Sequence, residues 1–145
     1  MNQKDFNRLR RTLNKRIDAL AAAGYYIEAI FLMAAVIERE LRTILEQYEV
    51  LIQDHLRYEK GRKLKFSIKI FTNKDIQKMT IGQLIGYVSI IHINKSLLRD
   101  LNRFNKLRCN IVHGLFMAKS VKNLDTMSKK LLAKKIILAI DVEIV

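Results

Sequence analysis

The sequence predicts an all-α fold, a compact bundle of about five helices in one domain spanning residues 1–145. Three observations lead there. The chain has no proline and only 5 glycines, so little interrupts a helix. Its apolar residues recur mostly with a helical period, in long stretches rather than short alternating runs. Half of the 145 residues are hydrophobic (50%), enough to bury one real core.

A first helix is expected over about residues 5–22, where Leu9, Leu13, Ile17 and Leu20 recur at helical spacing among Arg8, Arg10, Arg11, Lys15 and Arg16. Gly24 should end it. A second, long helix is expected over about residues 25–58. Ala29, Ile30, Phe31, Leu32, Met33, Ala34, Ala35, Val36 and Ile37 make its first half apolar on nearly every side, the pattern of a helix central to a fold or an oligomer. Its second half turns amphipathic through Leu41, Ile44, Leu45, Tyr48, Leu51 and Ile52.

The next stretch alternates. Leu64, Phe66, Ile68 and Ile70 stand between Lys65, Ser67 and Lys69, a period of two with no second strand to pair with. An extended basic connector is expected, carrying Arg57, Lys60, Arg62, Lys63, Lys65, Lys69, Lys74 and Lys78. It is either a solvated charged loop or an arm that follows RNA. Thr80 should cap a short helix opening Ile81-Gly82-Gln83-Leu84-Ile85. A longer helix should run over about residues 95–113 and stop at Gly114. The last helix should start near Asn123 or Asp125 as cap and run through Leu131, Leu132, Ile136, Ile137 and Ile140 to the end. Met33, Met79, Met117 and Met127 read as core filler.

The formal net charge is +13, from 27 Lys and Arg against 14 Asp and Glu, which predicts attraction to polyanions. Charge alone does not choose among RNA, DNA, an anionic membrane and an acidic protein. The single cysteine, Cys109, excludes an internal disulfide and a cysteine-rich metal site, and points to a reducing compartment. Residues 1–11 are polar and basic with no signal-type core behind them, and the longest apolar run, residues 29–37, is far short of the ~20 residues that span a bilayer. A soluble cytoplasmic protein without a membrane partner is the expectation.

One constellation carries chemistry, and it lies on the helix at residues 95–113. Leu97, Leu101, Phe104, Ile111 and Leu115 share a narrow sector at ~100° per residue. Arg108 lies in the same sector, within roughly 20° of Leu97. An arginine there needs a counter-charge or a ligand, because an unpaired buried cation is costly. Glu28 and Glu38 on the second helix are the internal counter-charges; otherwise the stripe faces a cleft. Five residues on, His113 ends the same helix, in the run Asn105-Lys106-Leu107-Arg108-Cys109-Asn110-Ile111-Val112-His113-Gly114.

These residue types suit RNA cleavage. RNA brings its own nucleophile, the 2′-hydroxyl beside the phosphate. A histidine moves the protons. An arginine grips two phosphate oxygens and stabilises the pentavalent phosphorus. No metal or cofactor is required. Arg108 and His113 stand ~140° apart on the helix, so one copy does not aim both at one atom. Two copies across a dimer axis would ease that problem, placing two histidines and two arginines around one phosphate.

With an arginine, four residues and a histidine at the end of an amphipathic helix, after a long apolar helix, the chain resembles the HEPN superfamily. The matching segments are residues 28–45, 80–88 and above all 98–116. The resemblance implies an all-α homodimer whose two motif helices line one cleft. It implies a metal-independent endoribonuclease, as many members are, in a toxin–antitoxin, antiviral-defence or RNA-turnover setting. An antitoxin or other protein partner goes with that setting. Arg108 and His113 would be catalytic. The family often places a polar residue, frequently Asn, directly after the arginine; here Cys109 stands there and Asn110 is one place on. A non-catalytic HEPN-like interaction or nucleotide- or RNA-binding module is therefore the alternative. A helical nucleic-acid-binding regulator is a third reading, without an evident helix-turn-helix pattern.

Asn105 and Asn110 would orient phosphate or ribose, or are surface amides. Arg103, Lys106, Lys63 and Lys65 would contact phosphates, or are solvated charges. His55 reads as a surface residue and His92 as packed or capping. Cys109 reads as a buried thiol. Glu38 reads as the structural partner of an arginine, or as the group that orients Arg108.

Overall fold

The computed structural model describes residues 2–61, 73–91, 94–114 and 121–144. Over these residues the chain is all-α, with no strand. The elements are α1 (Gln3–Ala22), α2 (Tyr26–Gly61), α3 (Asn73–Ile76), α4 (Ile81–Val88) with a 3-10 turn at Ser89–Ile91, α5 (Lys95–Gly114), α6 (Val121–Leu132) and α7 (Ile136–Ile144).

Local chemistry sets most of the ends. Asn2 caps α1, its Oδ1 accepting from the Asp5 N–H at 2.9 Å. Gly24, at φ +84°, turns the chain after α1 through the left-handed region that glycine enters without strain. Thr80 caps α4 in a full capping box: its hydroxyl accepts from the Gln83 N–H, and the Gln83 side chain accepts from the Thr80 N–H.

The long helix α2 is the hub, packing against α1, α3, α4, α5, α6 and α7. Ile30, Ile37, Leu41 and Leu45 are fully buried at helical spacing along it. Its first half is not enclosed all round, for Phe31 is 40% exposed and Ala35 is exposed. One buried cluster joins residues of all seven helices. Two arginines stitch the outer elements to α2. Arg10 on α1 meets Glu40, which is 1% exposed, at 3.1 Å. Arg42 donates to Glu38 at 2.6 Å and to the carbonyls of Ile76 and Met79, holding the approach to α4 in place.

The structure departs from expectation in several places. The basic connector is helical at both flanks: Arg57 and Lys60 belong to α2, and Lys74 to α3. Its centre, including Lys63 and Lys65, lies outside the described residues, as do His92, Leu115 and Met117. The last helix is two, broken around Lys135, which takes a positive φ of 49°. Neither Asn123 nor Asp125 caps it, since α6 begins at Val121. The break has a geometric cause. On one straight helix Leu131 and Ile140 would face ~180° apart. Breaking the helix turns Ile136 and Ile140 back into the core that Leu131 already reaches. Met127 is 47% exposed on the flank of α6 rather than core filler, and Leu9, near the start of α1, is 44% exposed. No helix among the described residues is long and apolar enough to cross a membrane.

Candidate functional site

The site is built on α5, whose two faces differ sharply. Inward, Leu97, Leu101, Phe104, Leu107 and Ile111 are buried. Outward, Lys95, Arg99, Asn102, Arg103 and Lys106 line a shallow open groove of about 490 Å³ with Leu98 as its apolar floor. Asn110 and His113 are exposed. On the helical wheel His113 falls at ~0° from Lys95, on the axis of this basic face.

Arg108 belongs to the other side. It is half-buried, and one terminal nitrogen donates to Asn105 Oδ1 at 3.2 Å and approaches Cys109 Sγ at 3.8 Å. Its Nε is buried without an acceptor among the described residues. Neither anticipated glutamate reaches it. Glu38 is engaged by Arg42, so its part is the structural one, and Glu28 is exposed. No carboxylate among the described residues pairs with Arg108. Asn105 lies close against α4: a Cβ on Gly82 would sit 3.3 Å from its Nδ2, so a larger residue there would displace the amide by a few tenths of an ångström. Cys109 is half-buried against the guanidinium rather than enclosed.

The expected site residues thus fall into two groups. Arg103, Lys106, Asn110 and His113 lie on the outer face; Asn105 and Arg108 bond to each other at the edge of the core. Within one copy Arg108 and His113 diverge by ~140°, as the ideal helix requires. Lys63 and Lys65 cannot be placed with either group, lying outside the described residues. Lys95, Arg99 and Asn102 were missed by motif reasoning. Their signal was present as the complement of the apolar stripe, at i, i+4 and i+7. Among the described residues no three His, Cys, Asp or Glu side chains gather around a metal-sized site.

Comparison with protein-family models, with curated proteins and with solved structures finds no match in any of the three.

Proposed function

We propose that the chain is a metal-independent endoribonuclease of the HEPN type, working as a cytoplasmic homodimer in a toxin or antiviral-defence setting. The observation that supports this most is the state of Arg108. A guanidinium on the core side of a helix, with a buried Nε lacking an acceptor and no carboxylate beside it, costs folding energy. A phosphate supplies both the missing acceptor and the missing charge.

In this reading His113 of one protomer takes the proton of the RNA 2′-hydroxyl, and the 2′-oxygen attacks the adjacent phosphorus. Arg108 of the partner subunit holds the non-bridging oxygens as negative charge builds. The P–O5′ bond breaks, and a histidine of the cleft returns a proton to the departing 5′-oxygen. The products are a 2′,3′-cyclic phosphate and a free 5′-hydroxyl. Asn105 orients Arg108 and does not touch substrate.

A second reading is favoured by a separate observation. Cys109 stands where the family prefers a polar side chain and lies against the guanidinium, which suits a HEPN-like module that binds RNA without cutting it. The deciding experiment is cleavage of mixed-sequence single-stranded RNA in excess EDTA by the parent, by Arg108→Met and by His113→Ala. Cleavage by the parent, lowered about 100-fold or more in both variants, is expected of catalysis at this pair. Equal behaviour of all three proteins rejects it.

A further inference from the structure

The outer face of α5 carries more than the motif asks for. Lys95, Arg99, Arg103 and Lys106 stand in one row over ~16 Å of helix, and His113 continues the row ~10 Å further on. Arg99 makes a weak 3.4 Å bond to Ser96, and none of the four cations forms an ion pair among the described residues. The one acid of α5, Asp100, stands at the edge of the row, ~140° from Lys95 but ~60° from Arg103, and forms no ion pair with it among the described residues. Like charges at i,i+4 repel and weaken a helix, and a face shaped for stability interleaves acids. Here Asp100 stands only at the edge, and the cations border a shallow open depression that half-buried Leu98 also lines.

We infer that the outer face of α5 is a track for a single strand of RNA, gripping successive phosphates from Lys95 to Lys106 and delivering the strand to His113. The choice of RNA rests on the cleavage reading above; the track itself rests on the row. A single strand fits better than a duplex. One row along one helix follows one backbone, whereas proteins that read duplex RNA by shape span two minor grooves over ~16 base pairs. The groove holds no aromatic side chain on which a base could stack, so the grip is on phosphates and indifferent to sequence.

The test uses His113→Ala protein, so that RNA stays intact, and a labelled single-stranded RNA followed by anisotropy against salt. Four phosphates neutralised give a log–log slope of about −2.8, an affinity loss of about 50-fold between 50 and 200 mM salt. Arg99→Gln with Arg103→Gln should halve the slope to about −1.4, a loss of about 7-fold over the same range. Lys130→Gln with Lys134→Gln, on exposed residues at the end of α6, removes the same charge and should leave the slope near its starting value. Single-stranded DNA of the same sequence should bind with the same slope. A track variant that keeps the full slope, a control pair that lowers it equally, or a duplex bound more tightly than the single strand at the same salt would each overturn the track. Because binding is read without cleavage, these outcomes are independent of whether Arg108 and His113 cut RNA.

Discussion

Replacing Arg108 by methionine should make the fold more stable while abolishing cleavage. Among the described residues the Arg108 Nε is buried without an acceptor, a defect that costs about 1–3 kcal/mol in a folded protein. The residue is half-buried, so the lower end of that range applies. Methionine keeps the length of the aliphatic stem and is about as good a helix former as arginine. What is lost is the 3.2 Å bond to Asn105, worth about 0.5–1 kcal/mol, and water can replace it because Asn105 is only half-buried. Burial of the methionine methyl adds to the gain. The net expectation is a stabilisation of about 0.5–1 kcal/mol, or roughly 2–3 °C in melting temperature for a chain of this size. Thermal melting followed by circular dichroism, with urea titration alongside, measures it. A loss of 2 kcal/mol or more would refute the reasoning, because it would make Arg108 a structural residue held by partners that its geometry does not display.

Other consequences follow from the packing. Phe104→Ala empties a fully buried position between α5 and the core and should cost about 3–5 kcal/mol in urea denaturation. Ser128→Ala should stabilise by about 1 kcal/mol, since the serine is fully buried and its hydroxyl has no partner among the described residues. A double-mutant cycle on Arg10 and Glu40, read by chemical denaturation, should give a coupling of about 1–2 kcal/mol, tempered by the 28% exposure of Arg10. Gly82→Ala should leave the melting temperature within a few degrees, as helix propensity of ~1 kcal/mol offsets the push on Asn105. It should nevertheless slow cleavage about tenfold in the RNA assay, because Asn105 positions Arg108.

Much of the fold was legible because local signals and long-range packing agree. Gly24 and Thr80 announce their turns by chemistry that acts within four residues. The break between α6 and α7 was not legible. Ala133, Lys134 and Lys135 contain no helix breaker, and the turn there follows from long-range packing that buries Ile136 and Ile140 against α2 and α5. In the site, the conflict of Arg108 with its apolar sector was readable from spacing alone. Its resolution was not, since it depends on where Glu38 spends its charge. That carboxylate goes to Arg42, four residues along its own helix, a pairing the spacing already offered. The basic row of α5 was not legible from the motif because Lys95, Arg99 and Asn102 lie outside it and are informative only together, as neighbours on one open face.

The central claim is that cleavage joins His113 of one protomer to Arg108 of the other, and mixing the two inactive variants tests it most directly. Arg108→Met and His113→Ala proteins are unfolded together, refolded as a mixture and assayed on single-stranded RNA in EDTA. Random pairing makes half the dimers mixed, each with one complete pair of the two in the parent, so about a quarter of parental activity should return. A mixture as inactive as its components, while the parent treated in the same way cleaves, would contradict the shared site.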